Sequence, residues 1–117
     1  MTPDTLAALT QRLREFAAIR EWQPFHSPKN LAMAVAGETG ELVAEFQWLT
    51  EAESRAPGPE RLLRIRDEAA DVFIYLLRLA DGLGFDLVEA ANAKMDRNEV
   101  RYPAEQVKGS ARRSDEY

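Results

Sequence analysis

The chain has no cysteine and a single histidine, His26. Without thiols it can hold no disulfide framework, thiolate nucleophile or zinc–thiolate site. One imidazole also excludes the paired Glu-x-x-His motifs of a ferritin-like di-iron bundle. Long apolar runs are missing too. A run such as Val72–Leu77 falls far short of the ~20 residues that cross a bilayer, and the N-terminus does not read as a secretory leader. These absences lead to the expectation of a cytoplasmic protein with no membrane partner. An excess of positive charge is lacking as well: 15 basic residues face 20 acidic ones, for a net charge of −5. Polymeric nucleic acid is a poor partner for that surface, because phosphate binding needs clustered cations.

What remains is a chain of 117 residues, 45% hydrophobic, long enough for one ordinary domain and too apolar for disorder. Its apolar residues recur with helical spacing, and no stretch alternates for long as a strand does. A first helix is expected over about Asp4–Arg20, with Leu6, Leu9, Leu13 and Phe16 along one side and Thr2 or Asp4 as cap beside Pro3. After a bend at Glu21–His26, Ser27-Pro28 reads as an N-cap followed by proline at the first helical position, opening a helix to about Glu51. Glu53–Pro59 holds two prolines and a glycine and is expected as loop. A third helix follows from Glu60 to Asp81, ended by Gly82 and Gly84, and a fourth from about Asp86 to Asn98. The expected fold is all-α, a four-helix bundle. Residues 1–103 form its domain, with 104–117 a polar C-terminal tail.

Carboxylates stand where the apolar faces should be clean. On a wheel set to Leu31, Val35, Leu42, Phe46 and Leu49 fall within roughly 60°, yet Glu38 lies at about −20°, Glu45 near −40° and Glu41 near −80°. The third helix repeats this. With Ile65 at zero, Ala69, Val72, Leu76 and Leu79 lie within about 40°, while Glu68 sits near −60° and Asp71 near −120°. Each helix therefore carries an acid–x–x–acid pair whose members are neighbours on its surface. In an antiparallel hairpin, residues at one level have a constant index sum. Glu41 with Glu68 and Glu38 with Asp71 share one such sum, centred in the Glu53–Pro59 loop. Four carboxylates at one height repel unless a cation sits among them. Oxygen ligands select a hard divalent ion, Mg2+ first and Mn2+ second. Gly37 and Gly40 flank Glu38 at a cost of about 1 kcal/mol each relative to alanine, a cost explained by close approach of another backbone or of phosphates. Glu45 has a second reading as the partner of a surface base.

Other residues carry two readings each. Trp48 and Trp22 suit either packing or stacking on a base. Tyr75, one turn beyond Asp71, suits either a half-buried core position or a hydrogen bond to phosphate or sugar. Serine nucleophiles find no support, since Ser27 reads as a cap and Ser54 and Ser110 fall in loop and tail.

The segment Gly37-Glu38-Thr39-Gly40-Glu41-Leu42, then Phe46-Gln47-Trp48 and Asp67-Glu68-Ala69-Ala70-Asp71-Val72, resembles the all-α nucleoside triphosphate pyrophosphatases. Within them it is most similar to the MazG-like branch that contains dCTP pyrophosphatase. That signature is Glu-x-x-Glu, a spacer (26 residues here) and Glu-x-x-Asp. Trp22-Gln23-Pro24-Phe25-His26, Pro28-Lys29-Asn30-Leu31 and Lys94-Met95-Asp96-Arg97-Asn98 with Arg101-Tyr102-Pro103 extend the likeness over about residues 6–103. One departure is Leu13, where relatives are expected to present a polar pocket residue.

The resemblance implies Mg-dependent hydrolysis between the α and β phosphates, giving monophosphate and pyrophosphate. The implied substrate is dCTP or a modified pyrimidine deoxynucleoside triphosphate, and the implied role is clearing the nucleotide pool. Glu38, Glu41, Glu68 and Asp71 would hold the metal, with Glu38 and Glu41 catalytic and Glu41 the candidate base. Trp22, His26, Trp48 and Tyr75 would contact base and sugar, and Lys94, Asn98 and Arg101 phosphate. A homo-oligomer, dimer or tetramer, is implied as well. The alternative is a non-catalytic helical module for oligomerisation or partner binding.

Overall fold

The computed structural model describes residues 5–111, so the expected caps Thr2 and Asp4, with Pro3 beside them, and the tail beyond 111 lie outside the described residues. Six α-helices follow one another, with no strand among the described residues: α1 (Leu6–Ile19), α2 (Pro28–Ala44), α3 (Glu51–Arg55), α4 (Pro59–Leu83), α5 (Leu87–Arg101) and α6 (Ala104–Val107), and a short 3-10 turn spans Gln23–Phe25. The chain divides into two compact units, one ending at Gly84 and the other beginning at Phe85. No helix among the described residues is long and apolar enough to cross a membrane.

Local chemistry sets most boundaries. Thr5 caps α1 by accepting the Ala8 N–H at 3.1 Å, and Ser27 caps α2 through the Asn30 N–H at 3.2 Å, with Pro28 at the first position. Gly58, at φ +82°, precedes Pro59 at the start of α4, and Gly84, at φ +78°, ends it in the left-handed region that favours glycine. Gly82 stays inside α4. In the second unit, Asp86 caps α5 through the Glu89 N–H at 2.8 Å.

Several boundaries depart from the sequence reading: α4 runs on to Leu83 and α5 to Arg101, and residues 104–107 of the expected tail form α6. The second helix ends at Ala44 instead of Glu51, because Thr50 starts a helix of its own. Its hydroxyl accepts the Glu53 N–H at 3.1 Å, and Glu53 Oε1 accepts the Thr50 N–H at 2.8 Å, a reciprocal capping box. The expected loop accordingly shrinks to Ala56–Gly58. At the end of α1, Glu21 takes φ +53°. The Glu21 N–H reaches the Ala18 carbonyl and the Trp22 N–H the Ala17 carbonyl, each at 3.0 Å. This is the Schellman arrangement, with a glutamate where glycine is usual. Its hydrophobic contact is present as well: Trp22 meets the Phe16 ring edge-on at 5.5 Å.

In the first unit α2 packs along α4 most extensively, and α1 adds to α4. Ala17, Leu31, Leu77 and Ala80 are the buried apolar residues among those described. The stripe expected on α4 centred on Ile65, Val72, Leu76 and Leu79. These are half-buried and Ala69 is exposed, while Leu77 and Ala80 go deepest. The centre of burial shifts because α4 packs against α1 as well as α2. Arg14 fastens α1 to α4 with two hydrogen bonds to the Asp81 carboxylate, one of them 2.8 Å from Nε to Oδ2.

A carboxylate cluster beside an aromatic cavity

The register of α2 against α4 decides what the carboxylates do. Glu45 receives the Arg64 Nε–H at 3.0 Å and lies 3.5 Å from Arg61, whose guanidinium also donates to the Glu45 carbonyl at 2.6 Å. Of the two readings of Glu45, the structure gives the partner of surface bases. Its index sum with Arg64 equals that of Glu38 with Asp71. The two helices therefore run antiparallel, and the level of Glu38 on α2 falls at Glu68 and Asp71 on α4.

There, one oxygen each from Glu38, Glu68 and Asp71 lies within 4.8 Å of the others. All three residues are half-buried, while Glu41 is exposed and stands outside this trio. Partial burial, and then the negative charges of Glu41, Asp71, Glu38 and Glu45, hold the Glu68 carboxyl above its ordinary range. Such a donor set, all oxygen and under mutual repulsion, fits a hard divalent cation. A methyl group added at Gly37 or Gly40 would meet nothing among the described residues within 4 Å. No other backbone of the first unit therefore explains those glycines.

Beside the cluster opens a cavity of about 420 Å³, and Asp71 forms part of its wall. Trp22, His26 and Tyr75 line it, together with Leu9, Arg12, Leu13, Phe16, Ala17, Ile74 and Arg78. Aromatic edges follow one another along one side: Phe16 to Trp22, then Trp22 to His26 at 5.9 Å. The His26 Nδ1 is buried without a hydrogen-bond partner among the described residues. Burial, and then the charge of Arg78, push the His26 imidazole below its ordinary value, so it is neutral at physiological pH. A mostly apolar cleft with a few polar groups and acids at one end suits a ring-bearing ligand with an anionic tail bound through a cation.

The remaining candidates are not among the lining of this cavity. Trp48 stands in the turn after α2, 86% exposed and outside the lining of this cavity. Lys94, Asn98 and Arg101 sit on α5 in the second unit, with Asn98 half-buried and Arg101 stacked 5.4 Å from the Tyr102 ring. The sequence reading did not single out Arg12 or Arg78. Arg78 was legible in principle, since it follows Asp71 by seven residues and Tyr75 by three, on one helical face.

Comparison with known proteins identifies the family. A MazG-like family profile matches residues 35–116. Two dCTP pyrophosphatase 1 proteins align over most of the chain. The rat protein is 43% identical over 109 residues, covering 92% of this chain and 64% of its own length. The human one is 42% identical over 111 residues, covering 93% and 65%. The chain thus spans just under two thirds of these curated relatives. The crystal structure of a pyrophosphatase from Archaeoglobus fulgidus DSM 4304 superposes with a TM-score of 0.79 at 38% identity, covering 88% of this chain and 96% of that one. The profile takes in all four signature acids, and the solved relative shares fold as well as sequence: the chain belongs to the MazG-like family.

Proposed function

We propose that this protein is a nucleoside triphosphate pyrophosphohydrolase. It cleaves between the α and β phosphates of dCTP or a modified pyrimidine deoxynucleoside triphosphate, releasing monophosphate and pyrophosphate. The observation that carries this reading is the adjacency of the Glu38–Glu68–Asp71 oxygens to a cavity lined by Trp22, His26 and Tyr75. The two dCTP pyrophosphatase 1 relatives support the choice of substrate.

Glu38, Glu68 and Asp71, with Glu41 one turn from Glu38, would hold Mg2+, with Mn2+ the second choice. When bound, the ion neutralises the triphosphate and lowers the pKa of a coordinated water. Glu41, exposed beside the trio, is the candidate base. It accepts the proton of the attacking water as the α–β bridge breaks and pyrophosphate leaves. Trp22 and the neutral His26 offer flat faces and edges to the base, and Tyr75 a hydroxyl to sugar or phosphate. Trp48, Lys94, Asn98 and Arg101 are assigned to substrate contacts made in the assembled protein.

The architecture proposed is the four-helix bundle of the MazG-like type in residues 1–103, working as a dimer or tetramer in the cytoplasm. Exposed apolar residues support the oligomer: Trp48 at 86%, Ile19 at 80% and Phe25 at 68% exposure leave surface that a second copy would cover.

The test is a panel of nucleoside triphosphates with Mg2+, scored by pyrophosphate release. Turnover of dCTP is expected, and loss of it in a folded Glu38→Gln variant. Failure to turn over any triphosphate would leave the non-catalytic helical module in its place.

A further inference from the structure

Four residues of α4 line the cavity, Asp71, Ile74, Tyr75 and Arg78, and three of them are polar: Asp71, Tyr75 and Arg78. Their spacing of four and three keeps them on one face. Tyr75 stands about 6 Å above Asp71 along the helix axis, and Arg78 about 10 Å above it. The wall therefore climbs from the carboxylate cluster to a guanidinium at its far end.

The surroundings account for Arg78 only in part. Its side chain is 15% exposed, and its Nε is buried with no hydrogen-bond partner among the described residues. The nearest carboxylate, Asp81, is already taken by two hydrogen bonds from Arg14. Arg78 Nη1 reaches only to 3.8 Å from Asp81 Oδ2, beyond hydrogen-bonding distance. With His26 and Ala17, Arg78 also lines a second cavity of about 510 Å³, so these three residues partition the two spaces. A guanidinium whose buried Nε–H has no acceptor among the described residues lowers stability unless something accepts from it.

We propose that Arg78 reads the base of the substrate, its guanidinium fork donating to the adjacent O2 and N3 acceptors of a cytosine ring. This rests on the triphosphate-hydrolysing reading above and narrows it to a cytosine-bearing substrate. Phosphates belong beside the carboxylates, about 10 Å away along α4, which leaves the far end for the base. The fork carries parallel N–H donors and no acceptor. Cytosine presents two neighbouring acceptors on its pairing edge. Thymine and uracil carry a hydrogen on N3, so the same fork would meet a donor there.

The experiment compares wild type with Arg78→Lys and Arg78→Met, measuring kcat/KM for dCTP and dTTP and, without cation, calorimetric binding of dCMP and dTMP. Lysine keeps a positive charge beside Asp81 and loses only the fork. Wild type should prefer dCTP, and both variants should lose about 10- to 100-fold on dCTP, with dTTP changing less than about threefold. The dCMP preference should vanish in parallel. An equal loss on both substrates would reduce Arg78 to a structural role. A wild type without preference for cytosine would overturn the proposal with no variant needed. If no triphosphate is turned over but dCMP is still preferred through Arg78, the hydrolytic reading fails and the base reading stands.

Discussion

Replacing Glu68 by Gln tests the cation site without relying on turnover. Three carboxylates with oxygens within 4.8 Å make three repelling pairs, and the substitution removes two. In cation-free buffer, Glu68→Gln should therefore melt above wild type. A divalent ion at one hundred times its dissociation constant adds about 2.7 kcal/mol to the folded state, or about 10–20 °C for a domain of this size. If losing one ligand weakens binding a hundredfold, the same concentration adds only about 0.4 kcal/mol to the variant. The order of stabilities then reverses on adding Mg2+. The pH dependence has a definite sign. The Glu68 carboxyl is held above its ordinary value by partial burial first and its acidic neighbours second, so the folded state favours its protonated form. That favourable contribution is complete below roughly pH 4.3 and disappears as pH rises through the raised folded value. The cation-free gap between variant and wild type is thus widest at neutral pH and closes on acidification. Thermal melts over pH, with and without Mg2+, measure all of this. An unchanged cation response in Glu68→Gln, or a metal-free variant that melts below wild type, would refute the reasoning.

Other consequences can be checked with the same melts or simple spectra. Arg14 holds the Asp81 carboxyl below its ordinary range, first through its hydrogen bond. Arg14→Met should therefore melt below wild type at neutral pH, and the difference should fade as pH falls under roughly 3.9 and through the lowered folded value; a constant difference would be wrong for an ion pair. Leu31→Ala, at a side chain 2% exposed, should cost about 2–5 kcal/mol in denaturant titrations. Glu21→Gly should raise stability by up to about 1 kcal/mol, because the left-handed backbone costs a side chain about 1–2 kcal/mol and glycine returns part of that in the unfolded chain. Trp48 should emit to the red in dilute solution and shift to the blue on concentration, tracking mass by light scattering. Emission independent of assembly would place it outside the subunit contact.

What could be read from the sequence was what depends on neighbours a turn apart. Ser27-Pro28, Gly84 and Asp86 mark helix ends through their own side chains or their lack of one. Glu38, Glu68 and Asp71 were legible together because helix spacing and a constant hairpin sum both constrain them. The early end of α2 was hidden, since Phe46 and Leu49 continue the apolar period while Thr50 and Glu53 start a competing cap. Glu21 gave no sign of its left-handed backbone, because that conformation is imposed by the Schellman bonds and by Trp22 closing on Phe16. The two readings of Glu45 could be separated only by Arg61 and Arg64, brought up from another helix. Spacing places Arg78 on the face of Asp71 and Tyr75, but its unpartnered Nε shows only in the folded chain.

The capping box of Thr50 and Glu53 draws its hydrogen bonds from within its own turn, so the start of α3 needs no hydrogen bond from the helices it joins. The segment between Leu49 and Pro59 therefore serves as a tether: it raises the effective concentration of α4 near α2, while Arg61 and Arg64 gripping Glu45 set where the two helices stop sliding. Length can be added to this tether, or the chain opened at Ala56, without moving Glu38 relative to Asp71. Insertions there alter how fast the two halves of the site find each other, and leave untouched what they form once met.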